Sequence, residues 1–174
     1  MPQSRHKKTA PLHALLVGAW GKLPLPGWLR ARLLWWVLPK FLVGAVAVIL
    51  NGEGHVLLFK HTYRLECPWG LPSGWLQKGE KPEVAIVREI LEESGYRVKV
   101  QRAVVVGGDA SLQRLDLYYE CMLKGGTFQP SVEVSQAVFF ALDDLPDCLE
   151  PFHKQVVLYT AQHPERSITH DEKT

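Results

Sequence analysis

The sequence predicts an α/β fold in which a mixed sheet lies between helices, preceded by a helical N-terminal arm. Three observations lead to this prediction. From residue 41 onward, short apolar segments alternate with turn residues, as strands of a sheet do. A segment with helical periodicity interrupts them at residues 81–94, and a second helix closes the domain at residues 151–162. Residues 1–40 differ from both in composition and form the arm.

The N-terminal arm is basic and rich in tryptophan. It contains seven Lys and Arg residues and no Asp or Glu, whereas the rest of the chain contains 13 basic and 18 acidic residues. Short apolar helices are predicted around residues 12–20 and 27–38, with Pro24 and Pro26 between them. The apolar runs are shorter than the about 20 residues that span a bilayer. No clean small-residue cleavage site follows them, which argues against a signal peptide.

Two interpretations of the arm follow from its composition. The arm packs against the α/β domain or a second subunit, burying Trp20, Trp28, Trp35 and Trp36, and in the second case it supports a homodimer. Alternatively it lies on an anionic membrane surface, because basic residues beside tryptophans suit an interfacial helix. Basic patches also attract nucleic acid, but the sequence contains no recognition motif, so no specific nucleic acid partner is expected.

The strands are expected in a regular order after the arm. They cover residues 41–50, 55–61, 67–71, 97–106, 112–123 and 136–142. The first two are separated by Asn-Gly-Glu-Gly at residues 51–54, which predicts a hairpin. Gly107 and Gly108 are expected to join the fourth and fifth strands.

The helix at residues 81–94 has clear boundaries. Pro82 is tolerated in a first turn, and Gly95 can take the positive φ that a helix C-terminus favours. A periodicity of about 100° per residue places on the core side Val84, Val87, Ile90, Leu91 and Ser94. The opposite side carries Ala85, Glu89, Glu92 and Glu93, flanked by Arg88. Glutamates spaced in this way repel one another and oppose the helix dipole. A hard cation such as Mg²⁺ would remove that conflict.

The spacing of charged residues around this helix forms a recognisable motif. Gly74 is followed after five residues by Glu80, and after seven more by Arg-Glu-Ile-Leu-Glu-Glu-Ser-Gly at residues 88–95. This resembles the signature of the Nudix hydrolases. The departures are Ser73, where a second glycine is frequent, and Tyr96, where a small aliphatic residue is common. Neither departure removes a ligand.

The resemblance covers residues 41–162 and implies the Nudix α/β/α sandwich. The expected organisation is therefore an arm at residues 1–40, a Nudix hydrolase domain at 41–162 and a polar tail at 163–174. The implied function is hydrolysis of a nucleoside diphosphate linked to another group, with Mg²⁺ or Mn²⁺ activating a water that attacks phosphorus. Nucleoside triphosphates, nucleotide sugars and CDP-alcohols all stay open as substrates. The alternatives are a non-catalytic nucleotide-binding module and a peripheral membrane enzyme acting on a lipid-linked diphosphate.

The resemblance also assigns roles to individual residues. The implied metal ligands are Glu89, Glu93, Glu92, Glu80 and the backbone carbonyl of Ser73. Arg88 is expected to pair with a glutamate and fix its rotamer. The general base is Glu92 or Glu133, and the sequence does not decide between them. Gly74 and Gly95 are the motif glycines.

Four residues flank the motif and are candidates for substrate binding, by stacking on a base or holding a phosphate. They are Tyr63, Arg64, Trp69 and Trp75. A packing role in the core is equally open for each aromatic residue.

The cysteines point to a reducing compartment. Cys67, Cys121 and Cys148 have no metal-type spacing, and their odd number argues against a disulfide framework. A cytoplasmic location is the simplest expectation.

Overall fold

The computed structural model describes residues 26–109 and 111–163. The chain divides into two units, residues 1–40 and 41–174. In the first unit, helix α1 (Gly27–Val37) follows Pro26. Its tryptophans Trp28, Trp35 and Trp36 are 61–68% exposed. The predicted helix at residues 12–20, with Trp20, lies outside the described residues. Among those residues, no helix is long and apolar enough to cross a membrane.

In residues 41–109 and 111–163, the second unit contains seven strands and two helices. In chain order these are β1 (Leu42–Ile49), β2 (Val56–His61), β3 (Trp69–Gly70), β4 (Ser73–Trp75), α2 (Pro82–Ser94), β5 (Arg97–Asp109), β6 (Arg114–Gly125), β7 (Val134–Phe140) and α3 (Pro151–Gln162). One sheet has the order β4-β1-β6-β5, and it is mixed because β1 and β6 are parallel while the other pairs are antiparallel. The other sheet has the order β3-β2-β7 and is antiparallel.

Strand β1 is buried on both faces, and its alternating side chains contribute to two cores. One core includes Ala47 and Ile49 of β1 with Ile86 and Ile90 of α2. The other includes Val46 and Val48 of β1 with Val156 and Val157 of α3. The two helices therefore cover opposite faces of the strands, and the predicted α/β class with helices on both sides is confirmed.

The predicted hairpin turn at residues 51–54 forms, but the strands beside it do not pair along their length. The side-chain oxygen of Asn51 accepts hydrogen bonds from the backbone N–H groups of Glu53 and His55, at 3.0 and 2.8 Å. The strands on either side then separate into different sheets and share only the bridge between Leu50 and Val56 among the described residues. The reason is that β1 pairs along its length with β6 and β4 instead.

The expectation of no disulfide is also wrong. Cys67 and Cys148 are joined, with their Cα atoms 5.4 Å apart across a sequence separation of 81 residues. Cys121 is the odd cysteine, and it is buried and free. An odd count does not prevent one pair from forming, because distant segments can bring two cysteines together.

Candidate active site

Helix α2 is placed by its two ends. Pro82 occupies its first turn, and Gly95 ends it with a φ of 72° while donating its N–H to the carbonyl of Leu91. The predicted faces of the helix are partly wrong. The buried residues are Ala85, Ile86, Ile90, Glu93 and Ser94. By contrast, Val84 and Leu91 are about half exposed, at 55% and 48%. The carboxylate of Glu93 is therefore buried on the side of the core, and that of Glu89 is largely buried, whereas Glu92 is exposed as predicted.

Gly74 brings strand β4 against this helix. A Cβ atom at Gly74 would overlap the Cβ, Cγ and Cδ atoms of Glu89. Gly74 itself pairs with Ala45 of β1, so the backbone cannot move away without breaking the sheet. A glycine is required here because the Glu89 side chain occupies the space of a side chain at position 74.

Arg88 lies among three glutamates of the motif. Its Nε and Nη2 atoms donate to the two carboxylate oxygens of Glu80, both at 2.9 Å. Its Nη1 atom lies 2.9 Å from Glu89 Oε1 and 3.1 Å from Glu92 Oε2. Together with a backbone N–H bond from Gln77, the Arg88 hydrogen bonds lower the pKa of Glu80 to about 2. Arg88 thus holds Glu80 ionised and limits where Glu89 and Glu92 can point.

Glu93 is in the opposite situation. Its side chain is buried, and its Oε2 atom has no hydrogen-bond partner among the described residues. Burial raises the pKa of Glu93 to about 8, and the nearby carboxylates of Glu133 and Glu89 contribute, while Arg64 opposes them. A buried carboxylate oxygen without a partner is costly. Glu93 is therefore the side chain in the motif that most needs a positively charged ligand.

A cavity of about 640 Å³ opens beside Glu93. It is lined by Gly44, Ser73, Gly74, acidic Glu89, Glu93, Glu133 and Glu150, basic Arg64 and Arg114, aromatic Tyr63 and Trp75, and His153. Arg64 reaches the cavity by lying over Gly70, where a Cβ atom would be 2.6 Å from Arg64 Nη1. Carboxylates and guanidinium groups thus face one polar cavity.

The cavity gathers only part of the predicted site. The predicted residues that line it are Ser73, Gly74, Glu89, Glu93, Glu133, Tyr63, Arg64 and Trp75. Glu80, Arg88 and Glu92 do not line it, and they form an ion-pair network that Glu89 joins through Arg88. The side chain of Glu92 is 59% exposed. Trp69 packs edge to face against Phe140, with ring centroids 4.9 Å apart, and lines a neighbouring groove.

Four residues of the cavity lining lie outside the set predicted from the sequence: Gly44, Arg114, Glu150 and His153. His153 is buried in helix α3, and burial is the main cause that lowers its pKa. Neighbouring His61 is also buried, and burial and Arg64 lower its pKa to about 4. Both imidazoles are therefore neutral at pH 7. No local signal marks these residues, since each comes from an element distant in sequence from the motif.

Residues 40–159 match the NUDIX domain. The chain belongs to the Nudix family. The fold agrees with this assignment, and the predicted family resemblance is confirmed. The motif at residues 74–96, which includes helix α2, is the Nudix box of this chain.

Several Nudix proteins are similar to this chain. An ADP-ribose pyrophosphatase of Methanocaldococcus jannaschii is 31% identical over 113 residues, which is 61% of this chain and 67% of that protein. The crystal structure of an ADP-ribose pyrophosphatase from Streptococcus suis has a TM-score of 0.63 at 28% identity, covering 72% of this chain and 96% of that one. The crystal structure of a UDP-X diphosphatase has a TM-score of 0.64 at 27% identity, with coverages of 90% and 81%.

The Nudix box fits a divalent cation in chemistry, although its donors are not yet gathered. In residues 26–109 and 111–163, no three carboxylate, imidazole or thiol side chains converge as a closed metal site requires. Arg88 contributes to this because it draws Glu89 and Glu92 toward itself. The partnerless Oε2 of Glu93, on which the negative charges of Glu89 and Glu133 act, nevertheless belongs to a set of oxygen donors that suits a hard ion.

Proposed function

We propose that this Nudix hydrolase cleaves the diphosphate bond of a nucleoside diphosphate linked to a further group, using Mg²⁺ or Mn²⁺. The chain is an enzyme of the Nudix type, which acts on diphosphate bonds. The observation that carries the proposal is the polar cavity in which Glu89, Glu93 and Glu133 face Arg64 and Arg114. The names of similar proteins, which include ADP-ribose and UDP-X, support a nucleoside diphosphate as the common part of the substrate.

In this proposal the Nudix box holds the cation. Glu93 and Glu89 are the main ligands, with the backbone carbonyl of Ser73 at the cavity wall and with Glu92 and Glu80 at the outer side. When bound, the cation supplies neutralisation of phosphate charge and a more acidic water. Arg88 acts as a positioning residue, because its bonds to Glu80 and Glu89 restrict the carboxylates to the edge of the cavity.

We assign the general base to Glu133 in preference to Glu92. Glu133 is exposed at the cavity, and its backbone carbonyl accepts a hydrogen bond of 2.9 Å from the N–H of Thr62, which fixes the loop. Glu92 instead pairs with Arg88 outside the cavity. A base must lie within hydrogen-bond reach of the water whose proton it takes. In the proposed reaction Glu133 accepts that proton while the water oxygen bonds to one phosphorus. The bridging P–O bond breaks, and the other phosphate leaves with the group it carries. Tyr63, Arg64 and Trp75 line the space for the substrate.

The proposal predicts metal-dependent cleavage of at least one compound from a defined panel. The panel contains nucleoside triphosphates, nucleotide sugars, ADP-ribose, CDP-choline and dinucleoside polyphosphates, each with Mg²⁺ and with Mn²⁺. Product release is measured by chromatography, with EDTA as the control. Cleavage that EDTA abolishes would support the proposal and name the substrate class. If the full-length chain cleaves no panel compound but binds one of them tightly, the non-catalytic binding module becomes the better account.

We also infer that the apolar arm forms a homodimer contact, because Trp28, Trp35 and Trp36 are exposed on α1. The full-length chain is expected to be a dimer by light scattering. Replacing the three tryptophans by serine is expected to give a monomer. The matched control replaces Leu65 and Val132 by serine. These two apolar residues lie outside the arm, are 94% and 91% exposed, and should not affect the dimer when replaced. A monomeric wild type that floats with anionic vesicles, and loses flotation in the tryptophan variant, would favour the membrane interpretation.

The cytoplasmic location stays a prediction, and the disulfide removes the argument from cysteine usage on which it rested.

A further inference from the structure

Arg114 reaches the cavity from the first position of β6, outside the Nudix box. The strand register explains how it does so. Gly44 of β1 pairs with Trp75 of β4 on one side and with Asp116 of β6 on the other, so these three residues form one row across the sheet. Arg114 is two residues before Asp116 and therefore points to the same face. Because the middle residue of the row is a glycine, this face has a gap between Trp75 and Asp116.

The carboxylate of Asp116 fills part of this gap and holds Arg114. A Cβ atom at position 44 would lie 2.5 Å from Asp116 Oδ1, so only glycine leaves room for it. The Nε atom of Arg114 donates to the Asp116 carboxylate at 2.8 Å. Asp116 is buried, which shields this ion pair from water.

On the opposite side of the gap, the guanidinium of Arg114 contacts Trp75. Its central carbon lies 4.9 Å from the ring centroid of Trp75, in a cation–π contact. Among the described residues, the hydrogen bonds of Arg114 involve Nε alone. The N–H groups of Nη1 and Nη2 therefore stay available to a ligand, in the planar fork that suits phosphate oxygens.

We propose that Arg114 binds the phosphoryl oxygens of the substrate, with Asp116, Gly44 and Trp75 as the groups that position it. This inference rests on the proposed function. Four carboxylates line the cavity, so an anionic substrate needs fixed positive charge there, and Arg64 and Arg114 are the basic residues of the cavity lining. A guanidinium already fixed by its surroundings loses little side-chain freedom when the ligand binds. The role of Trp75 in this proposal is therefore to hold the Arg114 guanidinium by the cation–π contact. The proposal does not need the Trp75 ring to stack on a nucleobase of the substrate.

The experiment compares four full-length variants with wild type. The substitutions are Arg114→Gln, Arg114→Lys, Asp116→Asn and, as matched control, Arg102→Gln. Arg102 also lies in the mixed sheet and pairs with an acidic neighbour, Glu120, at 2.7 Å, but it does not line the cavity. The probe is inorganic pyrophosphate with Mg²⁺, titrated by calorimetry. The values of KM and kcat are measured in parallel with the compound that the panel identifies.

Arg114→Gln is expected to raise the Kd for pyrophosphate and the KM at least about tenfold, the range of a lost charged hydrogen bond. Arg114→Lys should recover part of this affinity, because lysine restores the positive charge but not the two parallel N–H donors of a guanidinium. Asp116→Asn should weaken binding severalfold, and Arg102→Gln should match wild type. One outcome is that the wild-type enzyme cleaves a panel compound while Arg114→Gln binds pyrophosphate as tightly as Arg102→Gln does. That result overturns the role of Arg114 and leaves the proposed function standing. A wild type that neither binds pyrophosphate nor cleaves the panel would overturn both.

Discussion

Replacing Glu93 by glutamine is expected to lower kcat/KM by more than about 100-fold, beyond the roughly 10–100-fold typical of residues that only support metal ligands. Glu93 is the buried carboxylate whose Oε2 has no partner among the described residues, and it is our main candidate for holding the cation. Glutamine has the same shape but no negative charge. The fold should not suffer, because burial and the carboxylates of Glu133 and Glu89 already favour an uncharged side chain at this position.

Kinetics and thermal unfolding together test this expectation. In wild type, Mg²⁺ should raise the Tm, since a ligand that binds only the native state stabilises it. The Glu93→Gln variant should have a Tm near that of metal-free wild type and gain little from Mg²⁺. Glu83→Gln is the matched control, because it removes an exposed carboxylate from the first turn of the same helix. A Glu93→Gln enzyme with the kcat/KM of the Glu83→Gln control would remove Glu93 from the proposed metal site.

Removing the disulfide is expected to have the largest effect on stability, lowering the free energy of unfolding by about 2–4 kcal/mol. The bond between Cys67 and Cys148 closes a long loop, with 81 residues of sequence separation, and so restricts the unfolded chain strongly. The double replacement of Cys67 and Cys148 by serine should therefore unfold at lower denaturant concentration than oxidised wild type.

The control for this prediction is chemical. Dithiothreitol should destabilise wild type to about the level of the double variant and should leave the double variant unchanged. Thiol titration of unfolded, non-reduced protein should find one free thiol, that of Cys121. Three titratable thiols in the protein as purified would show that the pair is reduced under those conditions, contradicting the expected oxidised state.

The helices could be predicted well because their signals are local. Pro82 and Gly95 mark the ends of α2 in the sequence, and the structure has the helix between them. The face it buries could not be read from periodicity alone, because Val84 and Leu91 are as apolar as the residues that are buried. The position of the sheet determines which face is buried, and Ile86 and the carboxylate of Glu93 lie on that face.

The pairing of the strands could not be predicted from local sequence either. Asn51 forms a turn by bonding to its own neighbours, and this is visible in the sequence. Whether the flanking strands then pair depends on competition from distant strands, which local residues do not reveal. The candidate site divides in the same way. The Nudix box is contiguous and was foreseen, whereas Arg114 and His153 are brought to the cavity only by β6 and α3.

The parallel pairing of β1 with β6 has a consequence for how the chain folds. Each β1 residue meets a partner 72 positions later, as in the pair of Val46 and Tyr118. During synthesis, β1 is made long before β6 exists, and closing so long a loop is slow. Until β6 emerges, one edge of this very apolar strand lacks its native partner, and such exposed edges favour aggregation. The strand that contributes to both cores of the folded enzyme therefore needs protection in the nascent chain until β6 has been made.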